Sequence, residues 1–234
     1  MQVVPRTLGS ITEELWNWVE RTGQNRSQAK FFGNVVHCPI LKGNTNDEVI
    51  DLLPPPELHL LIGPVNTIFR AMEKEWPEAL KWAKACNVER EAMHGGSFTG
   101  NACHKLLSRV DVLRSLCPIQ GLKYAETFDL LRRVVDACYG QELHRNYLQQ
   151  IQHFRQSFLA LGIPVTPKVH CIFFHIADFC ERRRTGLGRF SEQASEAVHS
   201  DFKATWSRYK VAEENPRFNE RLRLAVQDYN SKHL

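Results

Sequence analysis

Apolar residues return at every third or fourth position through "PELHLLIGPVNTIFRAMEKEWPEALKWAKACNV", residues 56–88. A repeat near 3.6 residues buries one face of a helix and leaves the opposite face wet, so two or three helices are expected over 57–88. The same stripe runs through "KYAETFDLLRRVVDAC", 123–138, and "ELHRNYLQQIQHFRQSFLAL", 142–161, each with charges on its far side. Helices are expected there and along "CHKLLSRVDVLRSL", 103–116. Only a mainly α, multi-helix domain accommodates such a pattern.

The flanks fit that class. "LGSITEELWNWVERTGQ", 8–24, offers Ser10 as an N-cap ahead of Ile11, Leu15 and Val19 at helical spacing. Residues 31–56, "FFGNVVHCPILKGNTNDEVIDLLPPP", break the period with short β-type runs, a Gly-Asn-Thr-Asn turn and three prolines, so one or two short extended segments and a rigid elbow are expected. Further helices are predicted at 168–181, at 191–209 and from near Pro216 to the end. Pro64 and Pro77 are expected in first turns or at kinks. With 234 residues and 43% apolar content, the reading is one domain over 1–234. Residues 1–56 form its helix and extended lead, 57–165 its helical body and 166–234 its last helices.

Charge and cysteine usage narrow the function classes. A formal charge of +4 permits DNA as a partner without the concentrated positive charge of a dedicated nucleic-acid arm. Seven cysteines, at 38, 86, 103, 117, 138, 171 and 180, include no CxxC pair, which points to reduced, mostly buried thiols. "MQVVPRTLGSITEELWNW" carries no charged leader with a sustained apolar run, and no stretch reaches the length of a membrane span. A nuclear or cytoplasmic protein, neither secreted nor membrane-bound, is expected.

Several constellations could carry chemistry, and each has a plainer reading. In "RFSEQASEAVHSDF", 189–202, Glu192, Glu196 and His199 fall on one helical face. A carboxylate beside an imidazole there could hold a divalent ion or orient a water, and the same spacing serves a solvated face. Cys171 and His175 stand four apart with His170 adjacent, a legitimate spacing for metal ligands. No matching second pair follows, so structural zinc is not expected, and buried thiols and core histidines account for these residues. "HGGSFTGN", 94–101, could cradle a phosphate on free amides, yet it lacks the GK[ST] ending of a P-loop. A tight loop that lets helices approach explains it better. "ERRR", 181–184, could touch a DNA backbone and "FKATWSRY", 202–209, could stack on bases, while Arg at a helix C-terminus also answers the helix dipole. An independent metal-dependent enzyme built on His170, His175, Glu196 and His199 is a further reading of these side chains.

Three stretches together resemble the C-terminal half of cut-and-paste DNA transposases with a ribonuclease H-like catalytic domain, of the CACTA-like or related eukaryotic kind. "PPELHLLIGPVN", 55–66, resembles the start of their helical insertion; "TPKVHCIFFHIADF", 166–179, their Pro-Lys-x-His-x-x-x-x-His stretch; "SEAVHSDF", 195–202, their terminal acid-bearing helix. The resemblance assigns the third catalytic acid to Glu196, with His199 on its face as a metal-side partner, and the motif histidines to His59, His170 and His175. Asp51, closing "EVIDLL", is the one candidate for the second acid. In such enzymes three carboxylates hold two Mg2+ or Mn2+ ions, one activating the attacking oxygen and one stabilising the leaving oxygen. This chain departs from the pattern at Pro56, where the family has Asp or Cys. The strands for the first Asp would need roughly a hundred residues ahead of position 50. The resemblance therefore implies a transposon-derived, transposase-like fragment, catalytically incomplete as an isolated chain, with DNA and self-association as its partners. Its metal ions would bind only if the acid set is completed elsewhere. A helical protein-interaction module with no nucleic-acid role is the alternative.

Overall fold

The computed structural model describes residues 6–40, 42–92, 95–191 and 193–233, leaving aside the side chains of 193–197, 200 and 233. The chain is mainly helical, as the periodicity requires, and divides into two compact units, Met1–Phe190 and Ser191–Leu234. A single domain over 1–234 was the expectation from sequence; the division falls immediately after "RRRTGLGRF".

The first unit begins with α1 (Leu8–Thr22), whose N-cap is Thr7. Ser10, expected as the cap, sits at the third helical position and closes a reciprocal capping box: its N–H donates to Thr7 Oγ1 at 3.1 Å and its Oγ accepts from the Thr7 N–H at 3.0 Å. Leu15 and Trp18 pack with Ala29 and Val35 into a small satellite core. The extended lead shrinks to an isolated bridge between Thr7 and Glu48, followed by the single turn α2 (Val49–Leu52). Among the described residues no strand ladder forms: the Gly-Asn-Thr-Asn segment folds back as a turn, with Asp47 accepting from the Asn44 N–H at 2.7 Å.

The main core is built around α3 (Glu57–Glu75). Pro64 lies inside this helix rather than in its first turn, so the Leu60 carbonyl has no amide partner four residues on. Side chains bridge the neighbouring carbonyls, Asn66 donating to the Ile62 oxygen and Thr67 to the Gly63 oxygen, both at 2.9 Å. Residues 80–85 continue as α4 (Leu80–Ala85). The stretch 103–116 is two helices, α5 (Gly100–Leu107) and α6 (Val110–Leu116). The break is held by the Trp82 indole, which donates to the Arg109 carbonyl at 2.9 Å.

The long helix α7 (Leu122–Cys138) packs against α8 (Tyr147–Ala160). Helix α8 starts five residues later than its apolar stripe suggests, because residues 140–146 bond elsewhere: the His144 N–H donates to Ala137 O at 3.0 Å, and Gln141 O accepts from Gly186 N–H and from the Thr185 hydroxyl. The helix predicted over 168–181 divides at His175 into α9 (Pro167–Phe174) and α10 (Ile176–Arg183). His175, at φ −114°, turns the chain so that Val169, Ile172 and Phe173 on one side and Ile176, Phe179 and Cys180 on the other all reach the core. Aromatic pairs run through that core, including Phe69 edge-on to Phe98 at 4.8 Å and Trp82 against Phe128 at 5.1 Å.

The second unit is a helical hairpin of α11 (Gln193–Trp206) and α12 (Phe218–His233). Its aromatic side chains pair within it, Phe202 with Tyr229 and Trp206 with Phe218, each at 5.7 Å. "FKATWSRY" therefore serves the hairpin's own packing. Residues 191–234 carry seven Lys or Arg and seven Asp or Glu, so the basic excess of the chain resides in the first unit.

Candidate nucleic-acid interface

Two of the three motif stretches converge although 99 residues lie between them in sequence. Helix α3, with His59 half-buried in its first turn, packs against α9. Gly63 gives room to the Lys168 side chain, which a Cβ at that position would overlap. Ahead of α3, the lead is tied to the far end of α10. The Arg182 guanidinium reaches three carboxylates, Glu48 at 2.7 Å, Asp51 at 3.2 Å and Asp178 at 2.8 Å. Arg183 adds a bond to the Asp51 backbone oxygen at 2.7 Å. The hydrogen bond to Asp178, with the charge of that carboxylate and then the bond to and charge of Glu48, holds the Arg182 pKa above the ordinary guanidinium value, against the cost of partial burial.

The basic run 181–184 thus commits two of its three arginines to partners within the chain, at its surface. Asp51, the candidate second acid, has a carboxylate engaged by a guanidinium rather than turned to an open cavity. Arg182→Met is expected to cost about 1–2 kcal/mol, because three neighbouring carboxylates lose their shared cation while about a third of the Arg182 side chain remains solvated. Thermal unfolding checks this. Limited proteolysis should then cleave first within residues 48–53.

A row of rings and cations occupies the face made by α8, α9 and α10. The Arg155 guanidinium lies 4.6 Å from the centroid of the Phe174 ring. Phe174 is 4.7 Å from His170, and His170 is 5.2 Å from His175. All four are half-buried, so each keeps part of its surface open to solvent. Burial, with the neighbouring charge of His170, holds the His175 imidazole below its usual pKa, and Asp178 opposes the shift. Lys168 is exposed near the start of α9, two residues before His170. Among the described residues neither Arg155, over Phe174, nor Lys168, along Gly63 of α3, has a carboxylate partner.

The remaining candidates fall into place by burial. Phe98 of "HGGSFTGN" is fully buried, and its backbone is clasped by Asn66: the Phe98 N–H donates to Asn66 Oδ1 at 2.8 Å, and Asn66 Nδ2 donates to Phe98 O at 3.1 Å. Gly100 lies where a side chain would strike Leu58. The loop's central amide is committed to packing. Burial pushes the thiols of Cys103 and Cys138 up to about 12 and those of Cys171 and Cys180 up to about 11. Thiols so raised are poor nucleophiles and poor metal ligands at neutral pH. Cys38, in contrast, is exposed.

Helix α11 carries Glu196 and His199 three residues apart, with His199 exposed. The side chain of Glu196, and Glu192 altogether, lie outside the described residues. Among the described residues no three His, Cys, Asp or Glu side chains gather as a metal ion would require, and no helix is long and apolar enough to cross a membrane.

Sequence reasoning singled out His170, His175 and the basic run but missed Arg155, Phe174 and Asn66. Arg155 and Phe174 stand 19 residues apart on different helices and carry no local spacing signal. Searches against protein-family models, curated proteins and solved structures return no match to this chain.

Proposed function

We propose that this chain is a transposon-derived, transposase-like protein that binds DNA through the phosphate backbone and does not cleave strands as an isolated chain. The observation that carries the reading is the packing of α3 against α9. It brings the stretches at 55–66 and 166–179 together, with the exposed Lys168 lying along α3 at Gly63, beside an α8–α9 face on which Arg155, Phe174 and His170 keep part of their surface open to solvent. Uncommitted cations on a rigid helical surface suit phosphates, since each contact releases condensed counterions. Within a longer protein that supplied the missing acids, Glu196 would join a carboxylate set holding Mg2+ or Mn2+, and the whole would be a divalent-metal-dependent transposase.

Fluorescence anisotropy with a labelled duplex of arbitrary sequence tests the reading. Binding is expected at low ionic strength and should weaken about tenfold between 50 and 200 mM salt, as two phosphate contacts at a slope of about −0.9 each require. No measurable duplex binding at low salt would remove DNA from the account and leave the helical interaction module as the better reading.

A further inference from the structure

We propose that the row Arg155, Phe174, His170 and His175 is a stacking platform for unpaired DNA, so that single-stranded DNA binds this face more tightly than duplex does. This rests on the reading of the chain as a DNA-binding protein and adds the form of DNA that it takes. In a duplex the base faces are already stacked on one another and only phosphates and groove edges are offered to a protein. In a single strand the π faces are free, and a surface that alternates rings with cations can hold base and phosphate at once.

The row has that composition. A guanidinium stands 4.6 Å over one ring, two imidazoles follow at 4.7 and 5.2 Å, and Lys168 lies exposed on the same helix. Asp178 is the acid that acts on His175, and it is bonded at 2.8 Å to Arg182.

The platform is also fixed in place. Thr166 caps α9 by accepting from the Val169 N–H at 3.3 Å, and Pro167 opens the helix. Val169, Ile172 and Phe173 are buried beneath it, with Phe173 at 5.7 Å from both Phe154 and Phe158. Phe174 is therefore presented by a helix whose opposite side is locked into the core, and little rotamer freedom is left to lose on binding. A core lid alone would need no aromatic ring at 174 and no unpaired guanidinium over it.

Anisotropy and 2-aminopurine fluorescence on the whole chain test the platform, with oligo(dT) carrying one 2-aminopurine and a duplex of equal length as probes. Phe174→Leu is expected to weaken oligo(dT) binding about tenfold, within the range of one lost base stack, and to weaken duplex binding by a clearly smaller factor, because Phe174 meets a duplex only through Arg155. Phe174→Tyr, which keeps the ring, should restore both the affinity and the 2-aminopurine quenching. An unchanged oligo(dT) affinity in Phe174→Leu, or an equal loss for both probes, would overturn the platform while leaving backbone binding intact. Binding of neither probe by the unsubstituted chain would overturn both readings.

Discussion

Replacing Gly186 by alanine is expected to destabilise the first unit by about 3 kcal/mol, lowering its thermal midpoint by roughly 6–12 °C. The turn that follows α10 lies directly on the C-terminal end of α7. Gly186 donates its N–H to Gln141 O at 3.2 Å and Gly188 donates to Gly140 O at 3.1 Å. Thr185 adds a hydroxyl bond to Gln141 O at 2.7 Å. A methyl group on Gly186 would overlap the Gly140 carbonyl oxygen, and one on Gly188 would stand 2.7 Å from the Tyr139 oxygen.

Both obstacles are backbone, which cannot rotate aside as a side chain can. The turn must then lift, and with it the end of α10 that carries Arg182 and Arg183. Gly140→Ala is the control. A methyl there meets its nearest atom at 3.8 Å, so the change should stay within about 1 kcal/mol. Equal stability of the two variants by differential scanning calorimetry would mean that the turn does not rest on α7.

Asn66→Leu is expected to cost about 2–5 kcal/mol, because the change keeps the number and branching of side-chain heavy atoms while stranding two backbone groups in the core. The Asn66 carboxamide takes the place of a neighbouring strand. It accepts from the Phe98 N–H and donates to the Phe98 carbonyl, while Phe98 packs edge-on to Phe69. Leucine fills the space but offers neither partner. The Phe98 amide should exchange slowly in the unsubstituted protein and lose that protection in the variant, as hydrogen exchange would record. A loss of stability below about 1 kcal/mol, with Phe98 still protected, would contradict this role for the loop.

The helical fold was legible in the sequence because burial of one face imposes its period over many residues at once. Leu60, Leu61, Val65, Ile68, Phe69 and Met72 trace the buried stripe of α3 directly. Interruptions were not legible where a distant group causes them. The α5–α6 break depends on Trp82 reaching the Arg109 carbonyl, and the late start of α8 depends on bonds from Thr185 and Gly186.

The candidate site divides in the same way. His170 and His175 could be found because they sit five apart on one local segment. The Asp51 to Arg182 pair spans 131 residues, and the basic run containing Arg182 and Arg183 reads as free charge until those partners are seen. Arg155 over Phe174 belongs to the same class. Each residue is ordinary in its own helix, and only packing makes them a pair.

The central claim is that the α8–α9 face meets phosphates, and it is tested most directly by the salt slope of duplex binding in Arg155→Gln, in Lys168→Gln and in the double variant. Arg155 and Lys168 supply both of the expected phosphate contacts, so each single variant should make the slope of log K against log salt concentration shallower by about 1, and the double variant should lose measurable duplex binding with folding unchanged. A slope identical to that of the unsubstituted protein would place the DNA contacts elsewhere and contradict the account.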